Sequence, residues 1–168
     1  MNKGTHETHK FGPVYGKDSR ILILGSFPSV KSREVQFYYG HPKNRFWKLL
    51  ALLYHEEEPA EIPEKKAFLA KHRIAVWDVI ESCDITGSSD SSIRNVTIND
   101  INRILEAAPI QEIYANGKKA ESLYQKYAEP VTGRQITGLP STSPANAAFS
   151  LERLAEAWKQ ILQENQYV

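Results

Sequence analysis

Ile21-Leu22-Ile23-Leu24-Gly25-Ser26-Phe27-Pro28-Ser29 decides how this chain folds. Four consecutive apolar residues run into a Gly/Pro turn, which reads as a buried strand over residues 20–25 and its exit. A second run follows closely, Tyr38-Tyr39-Gly40-His41-Pro42-Lys43-Asn44-Arg45-Phe46-Trp47. Aromatic and polar side chains are thereby gathered at the carboxyl end of a strand. Open α/β sheets bind their ligands there.

Outward from that strand, residues 44–54 read as a helix with Phe46, Trp47, Leu50 and Leu53 on one side. An acidic, Pro-punctuated loop at 56–63 leads to a second helix at 64–72, and 74–80 is a second strand. Residues 82–97 form a long polar stretch with Gly87 and five serines, the kind of loop that is functional or disordered. Apolar residues at Ile98, Ile101, Ile104, Leu105 and Ala108 predict a helix over 98–108, ended by Pro109. A short strand at 112–115 turns through Asn116-Gly117 into a helix at 118–127. A fourth strand at 134–139 precedes a small-residue loop at 140–146. Ser150 then caps a last helix with Leu151, Leu154, Ala155, Trp158, Ile161 and Leu162 on its face. Strands alternating with helices predict a three-layer α/β/α sandwich around a mostly parallel four-stranded sheet. The loops after strands one, three and four then meet at one sheet edge.

The 168 residues, 41% apolar, suit one compact domain, with residues 1–16 as a loosely ordered arm. Twenty-one basic against twenty acidic residues give a net charge of +1, so any nucleic-acid contact must come from a local patch. Cys83 is the only cysteine, which excludes intramolecular disulfides and four-cysteine metal or iron–sulfur sites. Residues 1–16 lack the apolar core of a signal peptide, and no segment approaches membrane-spanning length. A cytoplasmic monomer without metal or cofactor is expected. His6-Glu7-Thr8-His9 mimics a metal-ligand spacing but has no third ligand in view. No phosphate-cradling Gly-rich loop is present, and Gly25 to Ser29 does not fit the Gly-x-Ser-x-Gly nucleophile elbow.

Taken together, Gly25-Ser26-Phe27-Pro28-Ser29 and Tyr39-Gly40-His41-Pro42-x-Asn44-Arg45-Phe46-Trp47-Lys48 resemble the uracil-DNA glycosylase superfamily. The second run is similar to that of the mismatch-specific uracil glycosylases. Leu139-Pro140-Ser141-Thr142-Ser143-Pro144-Ala145-Asn146 resembles the superfamily's second motif, a loop that enters the DNA minor groove. The combination is most similar to the hypoxanthine-DNA (deoxyinosine) glycosylase branch and spans residues 20–160. That resemblance implies a DNA-repair enzyme that hydrolyses the N-glycosidic bond of a flipped, deaminated base. Most of the superfamily has Asp or Asn third in the first motif, where it orients the attacking water. Phe27 stands there and cannot do so. The hypoxanthine branch also lacks that group, and the resemblance shifts the catalytic role to Asn44.

Cleavage requires extruding the base, stabilising charge on sugar and leaving base, and placing a water. An amide such as Asn44 can accept from water through its oxygen and donate to substrate through its nitrogen. The resemblance makes Gly25, Ser26, Phe27, Tyr39 and Asp78 base-binding candidates, with Tyr39 stacking on the base. It makes Lys43, Asn116, Lys118 and the loop residues Ser141, Thr142, Ser143, Pro144, Ala145 and Asn146 DNA-binding candidates, with Arg45 and Lys119 as further phosphate-facing cations. Each has a plainer reading. Asn44 would cap the helix that starts beside it, Asp78 would be a buried structural carboxylate, Asn116 a turn residue and His41 a structural histidine. Three rivals remain: a mismatch-type uracil or thymine glycosylase, a silent nucleic-acid-binding relative, and a flavodoxin-like nucleotide-binding domain.

Overall fold

The computed structural model describes residues 4–9 and 11–162. β1 (Thr5–Thr8) comes first, then β2 (Ile21–Gly25), α1 (Val30–Val35), α2 (Phe46–Tyr54) and α3 (Ile62–Lys71). β3 (Ile74–Asp78), β4 (Ile80–Ile85), a 3-10 turn (Asp90–Ser92), β5 (Arg94–Ile98) and α4 (Asn102–Ala107) follow. β6 (Glu112–Asn116), α5 (Lys118–Leu123), a π turn (Tyr124–Ala128), α6 (Glu129–Thr132), β7 (Thr137–Leu139) and α7 (Leu151–Trp158) complete the order.

β3, β2, β6 and β7 form one four-stranded sheet in that spatial order, all neighbours parallel. Ile21, Leu22, Ile23 and Leu24 are wholly buried, as expected for a strand covered on both faces. The chain leaves β2 toward β3 on one side and returns to β6 on the other. The switch point therefore lies between the carboxyl ends of β2 and β6, at Gly25 and Asn116, where a crevice opens in such sheets.

Several sequence expectations are corrected. The strand at 74–80 breaks at Val79, whose N–H turns to Gly25 O at 2.8 Å, and Asn99 Nδ2 braces the bend by donating to Asp78 O and Ile80 O. β4 then leaves the parallel sheet and joins a second, antiparallel sheet in the order β1-β4-β5. The polar stretch 82–97 thus holds two strands as well as a loop. Its serines hid a period-two pattern in which Cys83 and Ile85 are buried. β5 continues to Ile98, so α4 starts later than expected. The helix at 118–127 widens into the π turn at Tyr124 and runs on through α6 to Thr132, and the fourth strand is only Thr137–Leu139. Residues 5–8, placed in a loosely ordered arm, are β1, paired with β4 from Thr5↔Ile85 to Thr8↔Ser82. Val14 pairs with Val76 and covers the open edge of β3.

α2 buries Phe46, Trp47, Leu49, Leu50 and Ala51 and packs against α7. Phe46 and Trp158 meet edge-on at 6.1 Å between ring centroids, and Trp158 Nε1 donates to Pro140 O at 2.9 Å. Among the described residues, no helix is long and apolar enough to cross a membrane. Because Trp158 fills the core and anchors the loop after β7, Trp158→Ala should lower stability by about 3–5 kcal/mol, read from urea unfolding. A loss below about 1 kcal/mol would contradict this placement.

Candidate active site

At the carboxyl ends of the parallel strands, a cavity of about 120 Å³ is lined by residues from several separate segments, among them Ser88 and Asp90 of the loop after β4. β2 and its exit supply Gly25, Ser26 and Phe27, β3 supplies Asp78, and β6 supplies Asn116. The segment before α2 supplies Tyr39 and Asn44, and the loop after β7 supplies Ser141, Thr142 and Ser143. Gly25 is required at its place: a Cβ there would stand 2.4 Å from Asp78 Oδ1.

The segment before α2 and the loop after β7 are fastened together. Arg45 N donates to Thr142 O at 3.1 Å, and its guanidinium donates to Ser143 O at 3.1 Å, Asn146 O at 3.0 Å and also Phe149 O. Arg45 is consequently a clamp on the loop, not a phosphate-facing cation. Within the loop, Ser143 N donates to Ser141 Oγ, Ala145 N to Ser143 Oγ, and Asn146 Nδ2 to Ser141 O. These bonds leave Pro144 and Ala145 exposed.

Asn44 is orientated by its acceptor. Oδ1 takes the Phe46 N–H at 3.0 Å from one residue ahead of the Arg45 cap of α2, and it also takes the Thr142 hydroxyl at 2.8 Å. Thr142, wholly buried, accepts in turn from Asn116 Nδ2 at 3.0 Å, while Thr142 N donates to Asn116 Oδ1 at 2.9 Å. A backbone N–H can only donate, so Asn44 Oδ1 is the oxygen, both of its lone pairs are used, and Nδ2 is free to donate. Among the described residues Nδ2 has no partner. The expected acceptance of water by the Asn44 oxygen is therefore not available in this arrangement.

Tyr39 stacks on Phe46 at 4.0 Å between centroids, and its backbone takes the left-handed conformation, φ 54°. An aromatic residue is rare there and the conformation is held by its surroundings. Ser32 Oγ accepts the next N–H, that of Gly40, at 2.8 Å. The Tyr39 hydroxyl is enclosed beside the Asn116 side chain, with no well-aligned hydrogen bond among the described residues. Burial, with Asp78 behind it, pushes the Tyr39 phenol far above its ordinary value, so it stays protonated. Tyr38 is buried core and donates to Gly12 O. His41 Nδ1 accepts the Lys43 N–H and does not line the cavity, the structural reading.

Asp78 is buried, and its Oδ2 pairs with His9 Nε2 at 2.7 Å, with the two side chains 2% and 5% exposed. Oδ1 lies at the Gly25 side of the cavity. Sequence reasoning missed His9, which sits just after β1 and packs against Phe11, Phe27 and Tyr38. No local pattern signals a partner 69 residues away. Asp90 was missed as well. It lines the cavity and receives the Ser26 hydroxyl on Oδ1 at 2.8 Å. The only signal was its position within the long polar stretch. Beside the cavity, Lys118, Ala145 and Asn146 line a groove, whereas Lys43 and Pro144 are exposed and line neither hollow. The spacing His6-Glu7-Thr8-His9 forms no metal site: His6 pairs with Asp84 and His9 with Asp78, and no metal-holding cluster exists among the described residues.

A family profile described as the uracil DNA glycosylase superfamily matches residues 13–162. A protein of Methanosarcina acetivorans named hypoxanthine DNA glycosylase is 39% identical over 90% of this chain and 95% of its own. One of the same name from Methanosarcina barkeri is 32% identical over 89% and 94%. The solution NMR structure of a uracil DNA glycosylase candidate from Methanosarcina acetivorans superposes with a TM-score of 0.79 at 34% identity, covering 99% of both chains.

Removing one partner of a buried pair strands the other without compensation. His9→Phe, which keeps an aromatic ring but no donor, should therefore cost about 3–5 kcal/mol in chemical unfolding. Wild-type stability in this variant would show that the pair contributes packing alone.

Proposed function

This chain belongs to the uracil DNA glycosylase superfamily, and we propose on that premise that it hydrolyses the N-glycosidic bond of hypoxanthine in DNA. The observation that carries the mechanism is the Asn116–Thr142–Asn44 relay, which fixes one amide N–H₂ at the cavity. A deoxyinosine turned out of the duplex places its purine in the cavity, since the bond is inaccessible inside the stack. Tyr39, backed by Phe46, stacks on the purine. Hypoxanthine presents a carbonyl beside a ring N–H. Backbone amides around Ser26 and Phe27 donate to the carbonyl, and Asp78, its other oxygen held by His9, accepts the N–H.

As the bond lengthens, positive charge develops on the sugar and negative charge on the base. Asn44 Nδ2 donates to an acceptor atom of the departing purine, where that negative charge collects. Its direction is set before substrate arrives, so little reorganisation opposes the reaction. Lys43 and Lys118 face phosphates flanking the flipped nucleotide. The loop from Ser141 to Asn146, stiffened by Arg45, enters the minor groove with Pro144 and Ala145 at its tip. The protein acts as a monomer, and its substrate is cytoplasmic DNA. Uracil shares the lactam edge, so a panel of oligonucleotides with inosine, uracil, xanthine or mismatched thymine tests the ranking, with inosine cleaved fastest.

Asn44→Ala should fold and bind DNA yet slow hypoxanthine release about a hundredfold under single-turnover conditions. Asn44→Asp keeps both acceptor bonds but loses the donor, so it should be equally slow. Near-wild-type release by the Asp variant would mean that the acceptor, not the donor, matters.

The tip residue Ala145 is small, so the loop assists flipping weakly and loosely paired lesions are favoured. Inosine opposite thymine or guanine should react faster than inosine opposite cytosine, and Ala145→Leu should narrow the gap. Rates that ignore the opposing base in both proteins would remove the loop from the flipping step.

A further inference from the structure

Two positions that ought to hold the attacking water cannot do so. Phe27 has no polar group, and both lone pairs of Asn44 Oδ1 are taken. Hydrolysis still needs an acceptor beside the sugar carbon.

With the purine in the cavity, as proposed above, and the DNA backbone along the adjoining groove, the glycosidic bond would span the junction of the two hollows. Three residues line both hollows: Asp90, Ser141 and Ser143. The two serine hydroxyl oxygens already accept backbone N–H groups of the loop. Asp90 is the one ionisable residue of the three. Its Oδ1 accepts the Ser26 hydroxyl, and Oδ2 has no partner among the described residues. One oxygen is thus held and the other is open to the junction.

Resting on the hypoxanthine reading, we propose that Asp90 is a catalytic residue, the carboxylate that positions and deprotonates the attacking water. Oδ2 accepts a water proton while the water oxygen bonds to C1′. The C1′–N9 bond breaks, its electron pair leaves on the purine, and the water proton passes to Asp90 and on to the released base. The balance is one water consumed, one free base and one abasic sugar formed. The carboxylate's charge also faces the cationic sugar of the transition state. Ser26 is then a positioning residue, linking the first motif to a carboxylate from a distant loop.

The surroundings of Asp90 set its charge. Partial burial raises its pKa above the ordinary carboxylate value, the Ser26 hydroxyl and Lys119 oppose the shift, and Asp78 adds to it. Lys118 and Glu121 share its groove, and Arg94 is turned to the carbonyls of Ser91 and Ile93. A base acts only when ionised, so the rate should rise with pH through this raised pKa and level off above it.

The test is single-turnover release of hypoxanthine from inosine duplexes across pH, beside DNA binding by anisotropy, for wild type, Asp90→Asn, Asp90→Glu and Ser26→Ala. Asp90→Asn should be slower by about a hundredfold or more with affinity unchanged or tighter, and should lose the acid limb. Asp90→Glu should recover part of the rate, and Ser26→Ala should lose only severalfold. Release by Asp90→Asn within threefold of wild type overturns the proposal, as does an intact acid limb in that variant. Equal losses in Ser26→Ala and Asp90→Asn also overturn it, because the carboxylate would then serve only as a tether. An inactive wild type overturns the hypoxanthine reading itself, and this proposal with it.

Discussion

The Arg45 guanidinium holds the site together. Among the described residues it meets no carboxylate; instead it donates to the carbonyls of Ser143, Asn146 and Phe149, all in the loop after β7. Hydrogen bonds to a charged donor are each worth about 1.5–3 kcal/mol, more than neutral ones. Those bonds pull the loop after β7 onto the start of α2 and bring Thr142 within reach of Asn44. Without them the Asn116–Thr142–Asn44 relay would lose its middle member, and the Asn44 amide would be free to turn over. Trp158 secures the other end of the loop at Pro140.

The second constraint comes from the amino-terminal segment. β1 and Val14 finish the two sheets, and His9, between them, delivers the partner of a buried carboxylate. A polar side chain at 3% exposure is costly to leave without a partner. Pairing with His9 satisfies one oxygen and leaves the other for the cavity. Catalytic shape and folding stability are coupled at this point, since the pair that floors the cavity also docks the segment.

Chemically the proposed site separates its tasks by depth. Asp78 lies at the floor, where a base edge would be read. Asn44, in the proposed reaction, would present a donor to the departing base. Asp90 lines both cavity and groove, where the proposal brings sugar and water together. Asp78 and Asp90 each commit one oxygen to the protein and keep the other for the cavity, whereas Asn44 commits its oxygen and keeps its Nδ2. Such half-satisfied groups are orientated without being consumed, which is the condition for preorganised stabilisation.

Much of this was legible in the residues themselves. The apolar run Ile21 to Leu24, the turn at Gly25 and the alternation of elements determined a parallel α/β sheet with its site at the strand ends, because burial on both faces leaves a continuous hydrophobic signature. Motifs at 25–29, 39–48 and 139–146, with Asp78 and Asn116 at strand ends, pointed to most of the cavity residues. Tertiary structure alone decided the rest. The second sheet was masked because serines and bulges at Ser82 blur the period of β4. The reassignment of Arg45 from phosphate to loop carbonyls, the saturation of the Asn44 oxygen, and the arrival of His9 and Asp90 all depend on partners about 60 to 100 residues away. Local pattern reports which face of an element is buried; it carries no record of which distant donor meets which acceptor there.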